Sequence, residues 1–129
     1  MTAVKHEWRK HEKELYCPKQ QAVQVTVPSM KFLVLEGAII NVSKKKSLSR
    51  FKDVRLESIE DGDCVQILHV GPYDDEPESF MKVDEFCAAH NLQRANDEWH
   101  REIYLSDARK VEPAKLKTVL RVQVKSMQF

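Results

Sequence analysis

The chain has little of several features that mark specialised classes of protein. Its basic and acidic side chains nearly balance at 21 and 20, which leaves a formal net charge of +1. That balance argues against direct nucleic-acid binding, which needs a positive field, and the isolated lysine run at 44–46 is typical of a solvated surface. No apolar run approaches the roughly 20 residues that a membrane helix needs, so we expect no membrane span.

Cysteine is also scarce. Cys17, Cys64 and Cys87 are far apart and form no CxxC pair. This spacing does not fit a zinc site or a disulfide framework, so we expect reduced thiols and neither a metal nor a cofactor. The N-terminal segment "MTAVKHEWRKHEKELY" lacks the apolar core of a signal peptide, which indicates a cytoplasmic location.

The hydrophobic pattern predicts an α+β fold, an antiparallel sheet of four or five strands with one main helix packed on one face. The predicted elements are strands at 22–27 and 30–37, a hairpin over 54–70, a helix over 76–90, and strands at 99–106 and 116–124. The segment 91–98 is predicted to be a loop. Asp75 is the expected N-cap of the helix, and Phe80, Val83 and Phe86 should face the sheet, well buried.

The stretch "HREIYLSD" at 100–107 places a carboxylate and a phenol on one face of a strand. By alternation, His100, Glu102 and Tyr104 share one face, and Ile103 and Leu105 share the other. We expect the apolar pair to pack beneath the helix, which would turn Glu102 and Tyr104 toward the uncovered face of the sheet. The sequence therefore predicts a candidate site on that open face.

Several motifs resemble those of the GyrI-like small-molecule-binding family. They are the "HVGPY" turn at 69–73, the "EIYLSD" strand at 102–107, the "EPAKLKT" segment at 112–118 and the N-terminal "VPSMKFLVLEG" at 27–37. The resemblance covers residues 7–37 and 52–125, and it includes long, specific motifs.

This resemblance implies two strand–helix–strand–strand modules whose sheets form a groove for small, lipophilic or aromatic molecules, including cations. It also implies that Glu102 faces the groove as a counter-charge or as an acid/base, with Tyr104 as the neighbouring aromatic wall. Family members include ligand domains of multidrug-sensing regulators and hydrolases that open the cyclopropane of DNA-alkylating natural products.

The first module is much shorter than the family pattern. "LEGA" runs almost directly into "IINVSKKKSLSRF", as if most of that module were deleted. We therefore expect a single truncated domain over 1–129, with an N-terminal arm and remnant strand at 1–37 and a complete module at 52–125. A homodimer would supply the missing module, unless the arm or the segment 38–42 folds over the open face.

The candidate ligand-binding residues are Glu102, Tyr104, Tyr73, His69 and His100, with Glu102 and Tyr104 as candidate catalytic residues. His69 either lines the groove or stabilises the turn, and Tyr73 either walls the groove or anchors that turn. His100 either orients Glu102 or lies at the surface. A nucleophilic site built from Cys64, His69 and Glu102 is disfavoured, because the alternation partners of Cys64 define no site.

Three functions follow from these residues. The first is binding of a lipophilic or aromatic small molecule, with the carboxylate as counter-charge for a cation and the tyrosine ring adding a cation–π contact. The second is hydrolysis of cyclopropanoids or similar strained electrophiles, with Glu102 as acid/base. The third is a non-catalytic remnant with a scaffold or oligomerisation role. Turnover separates the second from the first, and failure to bind lipophilic cations favours the third.

Overall fold

The computed structural model describes residues 13–16, 19–34 and 55–127. The chain divides into a larger unit, made of Met1–Val27 and Gly62–Phe129, and a smaller unit over Pro28–Asp61. Predictions on several segments lie outside the described residues: those on Cys17, on 35–37, on 38–42 and on the lysines at 44–46.

Short helices and strands follow one another along the described chain. In order they are α1 (Lys13–Tyr16), β1 (Val23–Val27), β2 (Met30–Val34), β3 (Arg55–Ile59), β4 (Gly62–Val70), α2 (Glu76–Ala89), β5 (Leu92–Arg94), β6 (Arg101–Tyr104) and β7 (Lys117–Ser126). A 3₁₀ turn at Tyr73–Asp75 leads directly into α2. None of the helices in the described ranges is long and apolar enough to cross a membrane.

The larger unit contains a five-stranded antiparallel sheet with α2 on one face, which confirms the predicted α+β class. The strand order is β1–β4–β7–β5, and β6 also pairs with β7. The long strand β7 pairs with β4 on one side, and with β6 and β5 on the other. The two central strands, β4 and β7, are rich in β-branched residues, which suit a sheet buried on both faces.

The smaller unit contains a separate two-stranded sheet in which β2 pairs with β3, from Met30 opposite Ile59 to Val34 opposite Arg55. The predicted hairpin over 54–70 is therefore wrong. Both of its strands form, but β3 pairs with β2, whereas β4 pairs with β1 and β7. Alternation of apolar and polar residues predicts a strand, but it does not indicate which other strand pairs with it. The turn residue Gly62, at a φ of +67°, permits a change of direction but does not require a hairpin.

The main core lies between α2 and the sheet. It comprises Val65, Ile67, Val83, Cys87, Leu92, Leu120, Val122 and Val124. Val83 is fully buried as predicted, whereas Phe80 and Phe86 pack at the border of this core and are half-buried, contrary to the prediction. Leu92 belongs to the short strand β5, where the sequence predicted a loop. A three-residue strand is too short to show a period of two.

The opposite face of the sheet is covered in part by the N-terminal arm. Gln66 on β4 and Arg121 on β7 are 0% and 3% exposed. The Gln66 side-chain amide donates a hydrogen bond to the carbonyl of Glu14, and Arg121 Nη2 donates to the carbonyl of Leu15 at 2.7 Å. Residues 14 and 15 of the arm thus lie over part of this face, as in the alternative to a homodimer that the sequence offered, and the homodimer stays a prediction.

Candidate functional site

The polar face of β6 lies on the same side of the sheet as α2. Glu102 is opposite Leu120 in the β6–β7 ladder, and cross-strand partners share a face. Leu120 packs in the core beneath α2 with Val83, so Glu102 is on the helix side. The prediction that Glu102 and Tyr104 point away from the helix is therefore wrong.

An apolar pair on one face of a strand does not by itself mark the side of the sheet that carries the helix. Ile103 is opposite Val119, which is fully buried on the other face of the sheet. That face is also buried at its centre, so apolar side chains there do not identify the face that carries α2. The polar residues of β6 therefore lie beside the N-terminal turn of α2, and side chains of that turn become part of the candidate site.

A pair of carboxyl groups is the chemical centre of this region. Glu76, in the first turn of α2, forms a side-chain hydrogen bond with Glu102. Burial, that hydrogen bond and the negative charge of Glu102 together raise the pKa of Glu76 to about 8. At neutral pH, Glu76 is therefore mainly a neutral acid held against a second carboxyl group.

Two tyrosine rings border the carboxyl pair. The ring centroids of Tyr73 and Tyr104 are 5.8 Å apart in an edge-to-face arrangement, and the residues are 40% and 60% exposed. The hydroxyl of Tyr104 donates to Glu102 Oε2 at 3.4 Å. Burial of the phenol and the nearby charge of Glu102 raise the pKa of Tyr104, so it remains a neutral donor. The rings give the site an accessible aromatic wall.

His100 lies close to the same carboxylate, as the alternation predicted. Its Nε2 is 3.8 Å from Glu102 Oε2, and its ring meets the Phe80 ring edge-on at a centroid distance of 4.7 Å. Phe80 also lies beneath the guanidinium of Arg94, at 5.4 Å. The half-buried Phe80 is therefore a link between the core and the site.

His69 is buried below the turn that carries Tyr73. Its Nε2 is 2.8 Å from the carbonyl of Pro72, and its Nδ1 is 2.7 Å from Ser79 Oγ. A carbonyl can only accept, so Nε2 donates to it and Nδ1 accepts from the serine hydroxyl. His69 thereby joins the turn to the first turns of α2 and helps to position both Tyr73 and Glu76.

Thr118 on β7 lies between β4 and β6 at the base of this region. It is opposite His69 on one side and Tyr104 on the other, so it shares their face. Its hydroxyl is buried and has no hydrogen-bond partner among the residues that the structure describes. A buried hydroxyl without a partner is costly in a folded protein, and such groups are often completed by a ligand or water.

Sequence reasoning missed Glu76 and Thr118. Glu76 lies in the acidic run "DDEPE" at 74–78, which is typical of a helix N-terminus and gives no sign of a partner on a distant strand. Thr118 lies in the predicted strand at 116–124, but nothing local in the sequence indicates that its hydroxyl lacks a partner. Both signals depend on tertiary contacts.

The other candidate arrangements are not assembled here. Cys64 lies on β4 with its side chain on the opposite face from Val65 and His69, so no Cys–His–Glu site forms with Glu102. Within the described ranges, no group of three or more histidine, cysteine or acidic side chains could hold a metal ion. A cavity of about 860 Å³ does lie between α1 and β1, lined by residues 13–14, 19 and 21–26, and it includes none of the carboxyl-pair residues.

A known family profile matches most of the chain. The profile of the family described as "GyrI-like small molecule binding domain" matches residues 37–125, which include both carboxyl groups and both tyrosines of the site. No curated protein matches the sequence.

Solved structures from Listeria innocua share the fold at 22% sequence identity. One, described as a hydrolase, has a TM-score of 0.79, with 94% of this chain and 100% of that chain covered. An uncharacterised conserved protein has a TM-score of 0.77, and a second hydrolase has 0.72. Both of these alignments cover 92% of this chain and 98% of the other.

Proposed function

The chain belongs to the GyrI-like small-molecule-binding domain family, and from that premise we propose that it binds aromatic, lipophilic molecules, cations among them, at the Glu76–Glu102 pair. Glu102 serves as the counter-charge and Tyr104 as the aromatic wall. Tyr73 faces Tyr104 across the entrance, His100 flanks the carboxylate, and His69 positions the turn from below.

The observation that carries this proposal is the combination of carboxyl groups with exposed aromatic rings. A carboxylate in a partly desolvated site attracts a cation more strongly than one in water, because the effective dielectric constant is lower. The exposed faces of Tyr73 and Tyr104 add cation–π attraction and apolar contact area for a flat ligand. The chemistry therefore fits a ligand with an aromatic body and a positive group.

The test compares two probes of similar shape, N-methylquinolinium as the cation and quinoline as its neutral counterpart. Glu102→Gln keeps the size of the side chain and removes its charge. We expect it to weaken cation binding about 30-fold, which corresponds to about 2 kcal/mol, and to change quinoline binding little. Fluorescence titration measures both affinities.

The matched control is Glu78→Gln, since Glu78 is an exposed glutamate on the same helix. It should leave both affinities unchanged. An equal loss for both probes in Glu102→Gln would show that this carboxylate is structural and would contradict its assignment as a counter-charge.

Hydrolysis of a strained electrophile is the second candidate function. It is favoured by the two carboxyl groups that differ in protonation, an arrangement suited to general acid/base catalysis. In this step Glu76 gives its proton to the leaving atom as the strained ring bond breaks. Glu102 takes a proton from water, and the water oxygen bonds to the ring carbon, so the net reaction is addition of water. Turnover of a cyclopropanoid that both Glu76→Gln and Glu102→Gln abolish, while Glu78→Gln retains it, would establish this activity.

A further inference from the structure

The contact between Glu76 and Glu102 has a consequence for protonation. Burial of Glu76 and the nearby charge of Glu102 both disfavour the ionised form of Glu76. Glu76 Oε2 is buried and receives no hydrogen bond from any donor in the described part of the chain. An anionic oxygen in that position would be poorly stabilised, which favours the neutral form of Glu76.

The surroundings of the pair contribute little positive charge. The groups that face it from neighbouring elements are Tyr104 on β6, Tyr73 in the 3₁₀ turn, His100 before β6, Thr118 on β7 and His69 on β4. The tyrosines and the threonine are neutral, and His69 is already hydrogen-bonded through both ring nitrogens. His100 is the basic side chain nearest to Glu102 in this set, and its Nε2, at 3.8 Å from Glu102 Oε2, lies beyond hydrogen-bond distance.

We propose that Glu76 and Glu102 hold one proton between them and that a bound cation displaces this proton into solvent. The inference rests on the proposed function, because it concerns how the same site takes a cation. A permanent positive charge beside both carboxyl groups stabilises the doubly ionised pair, whereas in the free protein the proton neutralises one of the two groups. Cation capture and proton release are then linked, whereas a neutral ligand gives no reason for the proton to leave.

The direction of the pH dependence follows from this linkage. Cation affinity rises with pH wherever the free pair still holds its proton and the occupied pair has lost it. The raised pKa of Glu76, at about 8, places the upper end of this window near that pH. Within the window the affinity increases by at most about tenfold per pH unit, since one proton is exchanged.

Isothermal titration calorimetry tests the linkage directly. N-methylquinolinium is titrated into the full chain at about pH 7 in phosphate and in Tris, two buffers with different enthalpies of ionisation. The difference between the two observed enthalpies gives the number of protons released. We expect a substantial fraction of one proton for the cation and none for quinoline. Identical enthalpies for the cation in both buffers would overturn the proposal.

Glu76→Gln provides the matched variant, because a glutamine amide can donate to Glu102 as a neutral acid does but has no proton to release. We expect it to bind N-methylquinolinium with no buffer dependence and with nearly the same affinity at pH 6 and pH 9. The unmodified protein should match the variant near pH 6 and bind more tightly near pH 9. Glu78→Gln should behave as the unmodified protein. Retained proton release in Glu76→Gln would contradict the assignment to this pair.

A ligand-free measurement separates failure of this inference from failure of the proposed function. Carboxyl ¹³C shifts recorded against pH in the unmodified protein should show the pair taking up its two protons in separated steps, and in Glu76→Gln the step at higher pH should be missing. A single step in the range of ordinary glutamates would refute the shared proton, even if cations bind. If the steps are separated but neither probe binds, the proposed function is wrong, and the displacement of the proton by a cation is wrong with it.

Discussion

Two polar clusters lie on opposite faces of the main sheet, and they differ in how completely their hydrogen bonds are formed. On the face away from α2, Arg121 Nε donates to Gln66 Oε1 at 3.1 Å, and both side chains also donate to backbone carbonyls of the arm. On the α2 face, Glu76 Oε2 and the hydroxyl of Thr118 are buried without a partner among the described residues.

The difference separates a structural cluster from a candidate site. A buried polar group stabilises a fold only when its partners are present, and each missing partner costs about 1–3 kcal/mol. The Gln66–Arg121 cluster uses its donors to hold the arm against the sheet. The Glu76–Glu102 cluster retains two unused oxygens beside accessible aromatic rings, which is the arrangement expected where a ligand completes the contacts.

The largest expected effect comes from breaking the satisfied cluster. Arg121→Met leaves the side-chain oxygen of Gln66 and the carbonyl of Leu15 without this donor, and we expect it to lower the free energy of unfolding by about 3 kcal/mol. Urea denaturation followed by circular dichroism measures the change. The exposed residue Lys125, on the same strand, provides the control Lys125→Met, which should stay within about 0.5 kcal/mol.

A double variant sharpens this prediction. Gln66→Leu combined with Arg121→Met removes both partners, so it should cost less than the sum of the two single changes. If Arg121→Met has the same free energy of unfolding as the unmodified protein, the cluster does not hold the arm.

The next effect has the opposite sign and lies on the other face. Thr118→Val replaces an unpartnered buried hydroxyl with a methyl group of similar size, and we expect a gain of about 1 kcal/mol in unfolding free energy. The matched control is Thr26→Val on β1, where the hydroxyl donates to Asp63 Oδ1 at 3.0 Å and its removal should be neutral or slightly destabilising. Equal effects at both positions would mean that the Thr118 hydroxyl has a partner in solution.

The elements with a strong local pattern could be predicted from sequence. The helix at 76–89 and the strand at 117–126 have clear periods, and both formed close to their predicted bounds. The pairing of β3 with β2 could not be read from the sequence, since alternation is the same whichever partner a strand has. The prediction at the start of the helix was right only in part. Asp75 precedes α2 as predicted, but its side chain makes no capping hydrogen bond.

The candidate site divides in the same way. Glu102 and Tyr104 could be named because their alternation and the family motifs are local in the sequence. The face on which they lie could not, because the arm buries polar residues on the opposite face and so makes both faces of the sheet an interior. Glu76 could not be named either, since its importance comes from a contact with a distant strand.

The smallest expected effect is the pH dependence of stability that Glu76 brings to the unsatisfied cluster. Its pKa is raised from 4.5 to about 8 in the folded protein, mainly by burial, so between these values the folded state keeps a proton that the unfolded state has lost. Stability therefore falls as pH rises from about 4.5 to about 8, and it is independent of this group above that range.

Glu76→Gln keeps the neutral form at every pH and should match the unmodified protein near pH 4.5. Near pH 8 its thermal midpoint should be higher by about 2–4 °C, a modest shift because the group is only half-buried. Glu78→Gln, on the exposed side of the same helix, should show no such divergence in a thermal-shift series across this range. If Glu76→Gln and the unmodified protein keep the same difference in midpoint at every pH, the carboxyl pair does not hold the proton that distinguishes this cluster from the one on the opposite face.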